Sequence, residues 1–253
     1  MRRVALLSTS YLKVALLLFA VLSQTARGEF QPGEYVTYAQ QSWGSVNTPA
    51  SQLLAANIDT LYPNGVEIGI PGAAGSSALF TTLQSILDYL PQSGAAGPLD
   101  NDYLDATTTS SGSFGGYVLA LQFNVDLSDA GLLTGGASLP FGDLVLFDTG
   151  FALFDGLTVR QYLEEANSIL GGVPPLLAYE EIASLTDNIS LAFENGTPSE
   201  FAQGHFTDSE LVAEPSTIAL LLLGMMTLWK RLALQKRSAL FGAYQCPRGT
   251  AGA

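Results

Sequence analysis

Tyr117-Val-Leu-Ala-Leu-Gln-Phe-Asn-Val-Asp-Leu127 is the stretch on which the fold class of this 253-residue chain turns. Leu119, Leu121, Phe123 and Val125 alternate, which places them on one face of a β-strand. It is the longest strand candidate in the chain. Tyr35-Val-Thr-Tyr38 reads as an opening strand, with Trp43-Gly44 and Thr48-Pro49 as loop signals after it. Val66-Glu-Ile-Gly-Ile70 alternates and stops at Pro71. Asp143 to Asp148 adds a fourth strand.

Helical spacing appears in four other places. Leu53, Leu54, Asn57, Ile58 and Leu61 form one stripe, closed by the turn Tyr62-Pro63-Asn64-Gly65. Leu79, Phe80, Leu83, Ile86, Leu87 and Leu90 form a second, ending at Pro91. Thr158 and Gln161 make a capping box, which opens a helix over Val159, Tyr162, Leu163, Ala166 and Leu170 up to Gly171-Gly172. Ala178 to Phe193 is the last, with Ile182, Leu185, Ile189 and Phe193 inward. These elements predict a single α+β domain over residues 29–196, with short strands and about four amphipathic helices. Residues 197–213 lack periodicity, carry Pro198 and Gly204, and read as a linker.

The two ends of the chain carry an address. Arg2 and Arg3, the apolar core Val14 to Leu22, and small residues at Ala26 and Gly28 describe a signal peptide over residues 1–28, cut before Glu29. Near the other end, Ala213-Glu214-Pro215-Ser216-Thr217 precedes the apolar run Ile218 to Trp229 and the basic pair Lys230-Arg231. That run is shorter than the roughly 20 residues of a straight membrane span. Pro215 suits a first helical turn, and Lys230 and Arg231 can snorkel. Lys230, Arg231, Lys236 and Arg237 would face the cytoplasm. Residues 214–237 then form a sorting and membrane segment, and residues 238–253 a cytoplasmic tail.

The order of short Pro-containing motif, apolar helix and basic cluster resembles the PEP-CTERM sorting signal. Glu214, Pro215, Ser216 and Thr217 carry the motif; Ala213 stands where that family has its first Pro, and its basic cluster ends the chain whereas here residues 238–253 follow. The resemblance implies processing by an exosortase-type enzyme in a Gram-negative bacterium. The protein would be anchored in the inner membrane first, then released to the cell surface or extracellular matrix. Tyr38 to Gly44, Leu53 to Gly69 and Leu157 to Gly172 also resemble uncharacterised regions of secreted bacterial surface proteins, which implies a location and no activity.

Charge is lopsided. The net charge is -13, and Arg160 is the sole Lys or Arg between Glu29 and Val212. Such a body does not attract nucleic acid, because phosphate binding needs clustered Lys and Arg. It favours divalent cations and basic partners, and the charge keeps an exported protein soluble. Cys246 is the only cysteine, so the body has no disulfide framework. Its length suffices for an ordinary core.

The search for chemistry returns few candidates. His205 is the only histidine, which composition alone sets against multi-His or Cys metal sites. Gly112 to Gly116 lack the Lys of a phosphate loop. Asp126 with Asp129, Asp148 with Asp155, and Glu164 with Glu165 are carboxylate pairs of the kind glycoside hydrolysis uses. Asp100, Asp102 and Asp105 lie at short spacing in a polar loop and form a candidate calcium site, although the full EF-hand pattern is missing. Tyr35, Tyr38, Trp43 and Tyr62 are candidates for stacking on sugars. The reading is an exported, non-catalytic surface or matrix protein associated with envelope or exopolysaccharide, with no cofactor required. The alternative is an extracellular carbohydrate-active hydrolase using paired carboxylates.

Overall fold

The stretch Tyr117 to Leu127 is helical. In the computed structural model, which describes residues 29–133 and 135–208, it lies inside the longest described helix, Ser113–Asp129. The expectation of a strand fails for a physical reason. Val118, Ala120 and the polar Asn124 are as fully buried as Leu119, Leu121 and Phe123, so the segment is buried on both faces of the alternating set. Such a run has no period that separates strand from helix. At 17 residues it has the length of a buried helix.

In chain order the helices are α1 (Gln40–Gly44), α2 (Pro49–Leu61), α3 (Leu83–Tyr89), α4 (Ser113–Asp129), α5 (Val159–Leu170), α6 (Tyr179–Ser190) and α7 (Glu200–His205). The strands are β1 (Val66–Gly69), β2 (Ser77–Phe80), β3 (Tyr103–Leu104), β4 (Val145–Leu146) and β5 (Phe206–Thr207). β1 pairs antiparallel with β2, which pairs parallel with β3. β4 pairs antiparallel with β5. The class is therefore α+β, with more helix than the sequence pattern implied.

Local signals explain several starts. Thr48 caps α2 by accepting from Ser51 N–H, with Pro49 in the first turn. Thr82 and Ser85 form the same reciprocal cap on α3, and Thr158 and Gln161 on α5, as expected. The Thr82 cap breaks the expected helix over 79–90: Leu79 and Phe80 belong to β2. Trp43–Gly44 lies in α1 rather than in a loop. Tyr35 to Tyr38 makes no ladder. Its Thr37 forms a single parallel bridge with Glu194.

Helix α4 is the centre. It packs against α6 and α5, the turn Phe141–Asp143, α1 and β1. Phe123 meets Trp43 and Tyr62 at ring-centroid distances of 5.4 and 5.8 Å. Gly115 and Gly116 leave no room for a Cβ: one would strike Ser111 and Tyr89, the other Gln40 and Gln92. Asn124, fully buried on the same helix, accepts from Tyr38 N–H at 2.8 Å and donates to Tyr38 C=O at 2.9 Å.

The folded unit runs past residue 196. Ala202 and Phe206 are buried. Gln203 accepts from Phe30 N–H at 3.0 Å and donates to Phe30 C=O at 2.8 Å. The described part of the expected linker is thus packed structure. It was illegible because a six-residue helix and a two-residue strand are too short to show a period. Residues 1–28 and 209–253 lie outside the described residues, and with them the expected signal peptide, the sorting motif Glu214, Pro215, Ser216 and Thr217, and the cytoplasmic tail. Among the described residues no helix is long and apolar enough to cross a membrane.

Candidate functional site

The acidic loop after α3 lies against β2. Asp102 Oδ1 accepts from Ser77 N–H at 3.0 Å, at the first residue of that strand. Asp105 accepts from Thr81 N–H at 2.7 Å and from Thr81 Oγ1 at 2.6 Å, just past its end. Asp100 accepts from the Tyr103 hydroxyl at 2.6 Å. Hydrogen bonds from Tyr103 and Ser110 hold Asp100 below the usual carboxylate range, and those from Thr81 do the same for Asp105. The three carboxylates serve as acceptors for three different partners. Among the described residues no group of three or more His, Cys, Asp or Glu is placed to hold a metal ion.

Of the carboxylates paired in the sequence, Asp126, Asp129 and Asp155 are similarly engaged. Asp126 accepts from Gln122 Nε2 at 2.6 Å and from the Tyr62 hydroxyl at 2.7 Å. Burial raises its carboxyl above the ordinary range, and those hydrogen bonds pull the other way. Asp129 binds Arg160 through both guanidinium Nη atoms, and Asp143 binds the same group at 3.2 Å. Asp129 ends α4 and Arg160 lies in the first turn of α5, so each opposes its own helix dipole. Pairing them offsets both. Gly142 admits the guanidinium, since a Cβ there would strike Arg160 Nη2. Asp155 caps the turn at Thr149, accepting from its N–H at 2.9 Å and its hydroxyl at 2.7 Å. Glu164 and Glu165 sit side by side on exposed positions of α5.

His205 ends α7, its ring 4.6 Å from that of Phe201. Tyr35 and Trp43 are core residues at 4% and 0% exposure, so they cannot stack on a sugar. Tyr38 and Tyr62 are half-buried and lean on Trp43 and Phe123.

Two features escaped the sequence reading. One is Asp187 on α6, half-buried beside Glu194 and Tyr117. Burial first, then the Glu194 charge, pushes its carboxyl up to about 6. No local pattern announced it, because its surroundings, Glu194 and Tyr117, come from other elements. The other is a pair of hollows between α6 and the loop 149–157. An apolar groove of about 270 Å³ is floored by Phe154, Ile169 and Ile182. A second hollow of about 310 Å³ holds Phe151, Phe201, Glu180 and Glu181. No family model, curated protein or solved structure matches the chain.

Two outcomes follow from this geometry. The native state keeps the Asp187 proton to higher pH than the unfolded chain does. Its contribution to stability is full below the ordinary carboxylate value and is lost as pH rises through about 6. Melting curves should therefore show Asp187→Asn more stable than the parent above that value, with the difference closing on acidification; a constant difference across pH contradicts the assignment. Calcium is the second. With Asp100, Asp102 and Asp105 committed to protein donors, calcium and magnesium at equal ionic strength should raise the melting temperature alike. A calcium-specific rise that Asp102→Ala abolishes would assign the loop to the metal.

Proposed function

We propose that this chain is an exported, non-catalytic surface or matrix protein, directed by a PEP-CTERM-like tail and retained at the cell envelope or exopolysaccharide. The observation that carries this reading is the ordered tail: Glu214-Pro215-Ser216-Thr217, the apolar run to Trp229, then Lys230-Arg231. The basic start and small residues before Glu29 agree with export. The partners are an exosortase-type processing enzyme, the inner membrane before processing, and exopolysaccharide afterwards. Nucleic acid is not among them, since the body's single Arg is engaged by Asp129 and Asp143.

The body supports the non-catalytic part of this reading. Asp126, Asp129 and Asp155 accept structural hydrogen bonds or an ion pair. That is the work of carboxylates holding a loop-rich fold together. The hydrolase reading has its footing at Asp187 and Glu194, where a carboxyl held protonated to about pH 6 is suited to general acid catalysis. Hydrolysis of a polysaccharide that both Asp187→Asn and Glu194→Gln abolish would favour that reading.

In a host with an exosortase, intact-mass analysis should find the surface form beginning near Glu29 and ending near Pro215. Replacing Glu214 and Pro215 by Ala should leave the protein unprocessed in the inner membrane. A surface form that retains Cys246 contradicts the proposal. A glycan screen of the processed form then tests retention by exopolysaccharide.

A further inference from the structure

We propose that the loop 149–157 and α6 form a two-part docking site for a protein segment that presents large apolar side chains next to Lys or Arg. The first part is the apolar groove. Its rim leaves Leu153, Val173 and Leu176 at 52%, 46% and 86% exposure. Single exposed apolar residues need no explanation, but three around an apolar groove mark an interaction surface. Pro174 and Pro175 stand in the rim segment between Val173 and Leu176 and limit the conformations it loses on binding.

The second part is the neighbouring hollow. Phe151 and Leu153–Phe154 of one loop line the two hollows, as do Glu181 and Ile182 of one helix. The two hollows therefore share the loop on one side and α6 on the other. Glu180 supplies a carboxylate there, Glu181 a second whose Oε2 also accepts from Ala178 N–H at 3.0 Å, and Phe151 and Phe201 supply aromatic rings. Carboxylates beside aromatic faces suit an ammonium or guanidinium group. Glu165 adds a further negative charge at the apolar groove itself.

Charge complementarity selects the occupant. Arg160 is the only Lys or Arg in residues 29–212, and Asp129 and Asp143 hold it. The body has no Lys or Arg left to neutralise Glu165, Glu180 and Glu181. A second copy would set these carboxylates against their equivalents, which like-charge repulsion opposes. An anionic lipid surface is disfavoured in the same way. A basic and apolar protein segment satisfies both hollows.

The test uses the full-length chain in nanodiscs and short fluorescein-labelled peptides that join Leu-Leu to Lys-Lys through glycine spacers of graded length. Fluorescence polarisation should find a spacing that binds at least about tenfold tighter than its Leu→Ser and Lys→Glu counterparts. Leu176→Ser, at an exposed position, should weaken it about tenfold. Glu180→Gln should weaken it and flatten its dependence on salt. Equal binding of the Lys→Glu peptides, no binding at any spacing, or unchanged affinity in Leu176→Ser overturns the proposal. So does a concentration-dependent dimer that Leu176→Ser abolishes, which would give the face to a second copy.

Discussion

Helix α4 is buried over most of its circumference, with Gln122, Asp126 and Asp129 on its outer side, and that constraint sets the rest of the body. A helix with one apolar stripe needs one neighbour, whereas a helix buried over most of its circumference needs a shell of several. Here the shell is α6, α5, the turn at Phe141–Asp143, α1 and β1. Each large side chain moved out of water contributes about 1.5–3 kcal/mol, so Phe114, Phe123, Leu119, Leu121 and Leu127, all at 0% exposure, give α4 a large share of the hydrophobic stabilisation. The glycines at 115 and 116 forgo side chains where the shell comes closest.

A shell made partly of loops leaves backbone groups that water does not reach, and these must find partners. The body solves this repeatedly with a primary amide. Asn124 pairs with both the N–H and C=O of Tyr38, Gln40 with those of Gln92, and Gln203 with those of Phe30. Each side chain offers one donor and one acceptor in the arrangement a neighbouring strand residue would present. Asn167 does half of this for Gly69, accepting from its N–H at 2.8 Å. Carboxylates do similar work at the surface, where Asp102 and Asp105 bracket β2. The polar side chains of this body are thus substitutes for missing sheet, which accounts for their scatter over many elements.

This division also explains what could be read from the sequence. Capping residues act within one helical turn, so Thr158 with Gln161 declared its helix directly, whereas Thr48-Pro49, which reads as a loop signal, is the cap and first turn of α2. The strand at Val66 to Gly69 alternates because one face is buried and the other is not. Tyr117 to Leu127 misled because Gln122, Asn124 and Asp126 alternate with apolar residues, yet Asn124 is buried in the core and Gln122 and Asp126 bond to each other along one side of a helix. Leu79 and Phe80 matched a helical stripe by coincidence of spacing, and the Thr82 and Ser85 cap that separates them from α3 was the signal to weigh. The partners of Asp102, Asp105, Asn124 and Gln203 lie 24 to 173 residues away, and no local pattern announces such pairings. The two hollows at α6 depend on Phe151 and Phe154 of the loop 149–157 converging with Phe201 of α7 and with α6, and they were invisible for the same reason.

The proposed role as an exported matrix or envelope protein rests on a scaffold in which many acids and amides hold loops in place. That account depends on α4 being the buried helical centre. Native-state hydrogen exchange read by mass spectrometry tests it most directly. Amides from Val118 to Leu127 should be the most protected in the chain, exchanging only through global unfolding, with the same free energy as denaturant unfolding. Exchange of that segment through local opening, at rates like those of the loop at 149–157, would contradict it.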